Sequence, residues 1–172
     1  MVCVIAFRSK EDFQMGAAVQ TLVRTPVRVL PKILVVDDTP ENLVVVKSLL
    51  AQIDAEIVCV GSGLEALARL SADEYVLVLL DVAMPETNGF QVAKAMRTKA
   101  RTAKTPVIFV TAYPQDELGL REGYRLGAVD FLFKPIDPSV LRSEVQVCLN
   151  LSGSTLGLPT EAFAVSHSMP SA

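Results

Sequence analysis

The stretch Val78-Leu79-Leu80-Asp81-Val82-Ala83-Met84-Pro85 decides the fold of this chain, because its apolar run stops at a carboxylate and then turns at a proline. Every residue from 75 to 80 is apolar. Such an uninterrupted run predicts a strand that is buried on both faces, as in a parallel sheet covered by helices. Side chains at the carboxyl end of such a strand open into the crevice where α/β folds place their chemistry. Asp81 is therefore the candidate for the reacting group.

Length, charge and composition restrict the classes of function. A chain of 172 residues suits one domain with a substantial core. The net charge of −3, without a basic stripe, argues against direct binding of nucleic acid. No apolar run approaches the roughly 18 residues that cross a bilayer, and residues 1–7 are too short for a secretory signal core. We therefore expect a cytoplasmic protein with no membrane insertion.

The cysteine and histidine content argues against a zinc site or a Cys/His catalytic pair. Cys3, Cys59 and Cys148 share no metal-like spacing, and the single histidine, His167, lies in a Ser-rich tail. Buried, unreactive thiols are the ordinary interpretation of such scattered cysteines.

From Lys32 onward the chain alternates five times between apolar strands and amphipathic helices. Predicted N-caps precede four of the helices: Thr39, Ser62 (with Glu65 as a capping box), Asn88 and Asp137. The leading Glu56 of the second strand suits the edge of a sheet. Right-handed crossovers between parallel strands place helices on both faces of one sheet. The predicted fold class is therefore α/β, a five-stranded parallel sheet covered by helices on both sides.

The two ends of the chain differ from its middle. Residues 1–31 show no clean periodicity and end in a segment punctuated by prolines, which predicts a flexible N-terminal extension. Residues 32–150 form the predicted folded domain. Residues 151–172 are rich in Ser, Gly and Pro with a single charge, and we expect this tail to be disordered.

Chemistry-bearing residues follow four of the five predicted strands. Each of them, taken singly, is more often structural than functional, but a parallel sheet delivers all of them to one edge. They are Asp37 and Asp38 after the first strand, Asp81 after the third, Thr111 after the fourth and Lys134 after the fifth.

This combination favours phosphoryl chemistry. Crowded carboxylates repel one another, and a hard divalent cation such as Mg²⁺ relieves the repulsion while keeping coordination positions for water and phosphate oxygen. A carboxylate beside Mg²⁺ can attack phosphorus and form an acyl phosphate. Lys134 and the Thr111 hydroxyl would stabilise charge on the phosphoryl oxygens.

The motif set resembles the receiver domain of bacterial two-component response regulators over residues 32 to about 150. It consists of Asp37-Asp38, Asp81-x-x-Met84-Pro85-x-x-x-Gly89, Thr111-Ala112 and Lys134-Pro135. The segment 127–138 also resembles receivers attached to hybrid sensor kinases. The resemblance implies a flavodoxin-like sheet with strand order 2-1-3-4-5, and a cis peptide bond between Lys134 and Pro135.

The resemblance also implies a role for each residue of the acidic edge. Asp81 would accept the phosphoryl group from a phosphohistidine of a sensor histidine kinase or a histidine phosphotransfer protein. Asp38, Asp81 and the main-chain carbonyl of Ala83 would bind Mg²⁺ directly, and Asp37 largely through water. Lys134 would pair with the phosphoryl group.

A switch at neighbouring strand ends is implied as well. Thr111 would move toward the phosphoryl group, and the aromatic ring of Phe131 would turn inward into the space that Thr111 vacates. The face formed by the fourth helix, fifth strand and fifth helix would then contact a downstream effector. The expected protein is a phosphoacceptor switch, with self-phosphorylation and slow self-dephosphorylation only, rather than a multiple-turnover enzyme.

Three alternatives belong to other classes. The pattern G-x-G-x-x-A at residues 61–66 is compatible with a nucleotide-binding domain, but it leaves Asp37, Thr111 and Lys134 unexplained. A phosphohydrolase would need a second Asp two residues after Asp81, where this chain has Ala83. A pseudo-receiver that only binds partners would not need the intact Asp, Thr and Lys set.

Overall fold

The computed structural model describes residues 29–112 and 117–155, side chains excepted at 117, 118 and 153–155. Strands and helices alternate strictly along this part of the chain. The strands are β1 (Lys32–Val36), β2 (Glu56–Val60), β3 (Leu77–Asp81), β4 (Val107–Thr111) and β5 (Ala128–Phe133). The helices are α1 (Pro40–Leu49), α2 (Gly63–Ala72), α3 (Gly89–Arg97), α4 (Glu117–Arg125) and α5 (Pro138–Thr155).

The five strands form one parallel sheet in the order β2-β1-β3-β4-β5. The predicted fold class, strand order and edge position of the second strand are confirmed. The register aligns the strand ends: Val36 pairs with Leu80 of β3, and Asp81 pairs with Val110 of β4. The side chains that follow β1, β3 and β4 therefore lie at one edge of the sheet.

Two apolar clusters cover the two faces of the sheet, since successive strand side chains point to opposite faces. Leu34 and Val36 of β1 belong to the cluster that also includes buried residues of α2 and α3. Ile33 and Val35, their neighbours, belong to the cluster beneath α1 and α5. Both layers predicted from the continuous apolar runs are thus present.

Two of the four predicted helix N-termini differ from the predictions in detail. Thr39 occupies the N-cap position of α1, but its side chain makes no capping hydrogen bond. Ser62 Oγ accepts from the backbone N–H of Glu65, whereas the Glu65 carboxylate accepts from Gly61 rather than from Ser62. The complete capping box lies at α3, where Asn88 and Gln91 bond to each other's backbone N–H.

The last helix runs past the domain boundary predicted at residue 150 and is described as far as Thr155. Within it, the Ser152 hydroxyl donates to the Cys148 carbonyl one turn earlier, a hydrogen bond that a helix accommodates. The predicted start of the folded domain, residue 32, coincides with the first residue of β1. Four features of the sequence lie outside the described residues: the predicted extension up to residue 28, the tail after residue 155, Cys3 and His167. No helix within the described ranges is long and apolar enough to cross a membrane.

A half-buried guanidinium, that of Arg97, joins the end of α3 to the loop before β4 and to the end of α4. All three guanidinium nitrogens of Arg97, Nε, Nη1 and Nη2, donate hydrogen bonds. Partial burial lowers the pKa of Arg97 from its ordinary value. The acceptors are five main-chain carbonyls, those of Thr102, Ala103, Thr105, Leu126 and Gly127. Arg97 thereby fixes the carboxyl-terminal end of α4 relative to the sheet.

Replacing Arg97 with Lys should lower the free energy of unfolding by about 2–3 kcal/mol, because an ammonium cannot reach all five carbonyls and leaves some unpaired. Urea denaturation would measure the loss. A suitable control is Lys99→Ala, which removes a single hydrogen bond to Ser71 Oγ at the exposed surface. Equal stabilities for the two variants would contradict a structural role for the guanidinium.

Candidate functional site

Three carboxylates meet at the carboxyl edge of the sheet, as predicted. Asp37 and Asp38 directly follow β1, and Asp81 is the last residue of β3. One carboxylate oxygen from each residue lies within 4.8 Å of the others. Asp37 and Asp81 are buried and Asp38 is exposed. The cluster offers hard oxygen ligands to a cation that approaches from solvent.

Asp37 is held by three donors from three parts of the chain. Lys134 Nζ donates to its Oδ2 at 2.7 Å, and the backbone N–H of Thr39 donates to its Oδ1 at 2.9 Å. Asn42 Nδ2 donates to both oxygens, at 2.9 Å and 3.1 Å. Asn42 is not among the residues predicted for the site, because its place in the first turn of α1 is the only feature of the sequence that indicates a contact with Asp37.

Asp81 is far less satisfied than Asp37. Lys134 Nζ lies 3.3 Å from Asp81 Oδ1, close enough for an ion pair. No described group makes a hydrogen bond of good geometry to that buried oxygen. Burial raises the pKa of the Asp81 carboxyl; Lys134 opposes the shift, and the charge of Asp37 adds to it. Asp81 is thus a buried carboxylate whose Oδ1 has an ion-pair partner but no hydrogen bond of good geometry among the described groups.

Lys134 comes from the segment directly after β5. Burial would lower the pKa of its ammonium, but the hydrogen bond to Asp37 and the charge of Asp81 outweigh burial, and the pKa is raised. Its backbone N–H donates to the Thr111 carbonyl at 2.8 Å, which ties the ends of β5 and β4 together. The predicted cis peptide bond between Lys134 and Pro135 is confirmed.

The two predicted switch residues lie on neighbouring strands. Thr111 is fully buried at the end of β4. Phe131 of β5 is also buried; its ring stacks on Phe109 at a centroid distance of 5.2 Å and meets Tyr124 of α4 edge-on at 5.3 Å. The ring is therefore turned inward in this structure.

Two glycines allow helices to approach these residues closely. A Cβ at Gly89 would lie 2.3 Å from the carbonyl oxygen of Asp81, so the start of α3 rests on the backbone of the acidic residue. A Cβ at Gly123 would lie 2.2 Å from Phe131 Cζ, so α4 rests on the aromatic ring. These contacts connect Asp81 and Phe131 to two helices without intervening side chains.

Two other sequence features are accounted for without a ligand. Gly63 of the G-x-G-x-x-A pattern is buried against Thr87, whose carbonyl oxygen would lie 2.6 Å from an added Cβ. Ser62 caps α2, as described above. Ala83 is exposed in the loop after β3, and nothing in the structure tests the predicted use of its carbonyl.

This chain is similar in sequence to a known family of domains and to several known proteins. The family model described as the response regulator receiver domain matches residues 33–146. A probable cyclic di-GMP phosphodiesterase of Vibrio cholerae is 40% identical over 119 residues, which are 68% of this chain and 26% of that protein. Protein PilH of Pseudomonas aeruginosa is 32% identical over 120 residues, 70% of this chain and 98% of PilH.

This chain is also similar in fold to solved structures. The chemotaxis protein CheY4 of Vibrio cholerae aligns with a TM-score of 0.65 and 29% identity, covering 70% of this chain and 99% of CheY4. Several relatives are much longer than the matched segment, which covers 26% of the Vibrio phosphodiesterase and 48% of the Helicobacter pylori transcriptional regulatory protein CrdR.

Replacing Asp81 with Asn should raise the free energy of unfolding near pH 7, since it removes one buried charge from a crowded acidic cluster. Because the pKa of Asp81 is raised by folding, the wild-type protein loses stability as pH rises through that pKa. The advantage of the variant should therefore disappear as pH falls below the ordinary carboxyl value of 3.8.

Urea denaturation across this pH range would measure the difference in free energy. Glu74→Gln serves as the control, because the Glu74 side chain is 86% exposed. An Asp81→Asn protein no more stable than wild type near neutral pH would contradict the electrostatic description of the site.

Replacing Gly123 with Ala should destabilise the protein by about 1–3 kcal/mol, although Ala is the better helix former, because the new methyl group overlaps the Phe131 ring. A double variant with Phe131→Leu should recover part of the loss. A double-mutant cycle measured by urea denaturation tests both statements. Simple stabilisation by Gly123→Ala would show that α4 and Phe131 are not in tight contact.

Proposed function

Because this chain belongs to the family of response regulator receiver domains, we propose that Asp81 is its phosphoacceptor. The proposal rests on the surroundings of Asp81. Its carboxylate is buried at the end of β3, beside the Lys134 ammonium, and its Oδ1 accepts no hydrogen bond from the described residues. Asp37 is already saturated with donors, and Asp38 is exposed. Asp81 is therefore the carboxylate best suited to attack phosphorus.

The donor set fits Mg²⁺. All three candidate ligands are carboxylates within 4.8 Å of one another, and hard oxygen donors in small number are what this ion prefers. Asp38 and Asp81 would hold the ion directly, with the main-chain carbonyl of Ala83, and Asp37 through water. When bound, the ion neutralises charge on the carboxylates and on the phosphoryl oxygens.

The proposed reaction is transfer of a phosphoryl group between two proteins. An Asp81 carboxylate oxygen attacks the phosphorus of a phosphohistidine, the P–N bond breaks, and the electron pair stays on the imidazole nitrogen. The product is an acyl phosphate on Asp81. Lys134 Nζ lies 3.3 Å from Asp81 Oδ1 and can donate to the phosphoryl oxygens, and the Thr111 hydroxyl would do so from the end of β4.

The donor is proposed to be a sensor histidine kinase or a histidine phosphotransfer protein, and receiver domains act with such kinases and with downstream effectors. For the effector we propose the face of α4, β5 and α5. Large apolar side chains are exposed on all three elements, namely Tyr124, Val129, Phe133 and Val147. A phosphoryl group adds up to about two negative charges beside Thr111, and the Phe131–Gly123 contact offers a route from there to α4.

Incubation with acetyl phosphate and Mg²⁺ should add the mass of one phosphoryl group to the wild-type chain, measured by intact-mass spectrometry. Asp81→Asn should gain none, because it lacks the nucleophile, and omission of the divalent cation should reduce the yield. Glu74→Gln provides a matched control and should behave as wild type, because it removes an exposed acid that precedes β3, at the end of the strand opposite to Asp81.

An adduct of equal yield on folded Asp81→Asn would contradict the assignment of the phosphoacceptor. Folded wild-type protein that gains no adduct from either acetyl phosphate or a phosphohistidine donor would favour a domain that only binds partners.

A further inference from the structure

Asn42 occupies an unusual place beside the acidic cluster. It lies in the first turn of α1, and its half-buried side chain donates from Nδ2 to both oxygens of Asp37. No step of the proposed phosphoryl transfer uses it. Its two contacts nevertheless determine how Asp37 presents its oxygens to the site.

Asp37 and Asp81 are neighbouring carboxylates, but Asp37 accepts more hydrogen bonds than Asp81. With Asn42 and the Thr39 N–H in place, Asp37 also takes the Lys134 ammonium at 2.7 Å. The same ammonium is 3.3 Å from Asp81, whose Oδ1 receives no hydrogen bond from the described groups. Asp37 is thus occupied on both oxygens, whereas Asp81 is left open.

We propose that Asn42 is a positioning residue that sets the cation preference of the site. The amide holds Asp37 on the α1 side and occupies both of its oxygens, so that Asp37 does not bind a cation directly. This inference rests on the proposed function, since it concerns the same cation site.

The number of carboxylates in direct contact with the ion is what distinguishes Mg²⁺ from Ca²⁺ here. Mg²⁺ keeps several waters and is content with one or two carboxylates, whereas Ca²⁺ accepts six to eight oxygen ligands in flexible geometry. Without the Asn42 amide, Oδ1 of Asp37 keeps the Thr39 N–H and Oδ2 keeps the Lys134 ammonium. Each oxygen then has one acceptor position free, so that Asp37 can reach the ion as a third direct ligand. Loss of the amide should therefore favour Ca²⁺ relative to Mg²⁺.

The surroundings of Asn42 tolerate substitution. Its side chain lines an open cavity of about 250 Å³ together with residues of α1 and of the segment after β5. These are Val45, Val46, Lys134, Pro135 and Ile136. Both a longer amide and an apolar side chain of similar size have room there.

The test is isothermal titration of the full chain with Mg²⁺ and, separately, with Ca²⁺. Asn42→Leu and Asn42→Ala both remove the donors, so that one informative variant remains if the other fails to fold. For each, the ratio of Ca²⁺ to Mg²⁺ affinity should rise about tenfold over wild type. Asn42→Gln, which keeps an amide, should restore most of the wild-type ratio, and Val45→Ala on the same cavity wall should leave it unchanged.

A merely structural role for Asn42 would lower stability without changing the ratio of affinities. An unchanged ratio in the folded Leu or Ala variants, with cation binding by wild type intact, overturns this inference alone. Failure of the wild-type chain to bind either cation overturns the proposed cation site, and the inference with it.

Discussion

The Lys134 ammonium is the contact on which the arrangement of the site depends. It reaches from the end of β5, across the sheet edge, to Asp37 after β1 and Asp81 at the end of β3. Two buried carboxylates with an exposed third beside them would repel one another without a cation in place. Lys134 offsets that repulsion only in part, because its hydrogen bond goes to Asp37. Asp81 therefore remains a buried carboxylate whose pKa is raised, and this imbalance supports the proposal that Asp81 is the phosphoacceptor.

Close backbone contacts connect this electrostatic site to the rest of the fold. The start of α3 rests on the Asp81 carbonyl through Gly89, and α4 rests on the Phe131 ring through Gly123. The far end of α4 is fixed by the five carbonyl contacts of Arg97. Helix α4 is therefore anchored at its carboxyl-terminal end and packs on a buried aromatic ring near that end.

The sequence predicted the sheet and its acidic edge because both follow from local patterns. Continuous apolar runs indicate buried parallel strands, and residues directly after such strands, including Asp37, Asp81 and Lys134, must share one edge. Asn42 and Arg97 could not be found in this way, since their partners depend on how helices and loops pack. The buried state of Phe131 likewise depends on the approach of α4. Helix α5 continues beyond residue 150, and Ser152 bonds to a carbonyl within the helix, which the Ser-, Gly- and Pro-rich composition of the tail does not reveal.

A double-mutant cycle between Asp37→Asn and Lys134→Met tests the central claim most directly, with the free energy of unfolding measured by urea denaturation in the absence of divalent cations. If the ammonium is bound chiefly to Asp37, the two substitutions should be non-additive, with a coupling free energy of about 1–3 kcal/mol. The corresponding cycle between Asp81→Asn and Lys134→Met should give a smaller coupling. Additive effects in the first cycle, or a larger coupling in the second, would contradict the account.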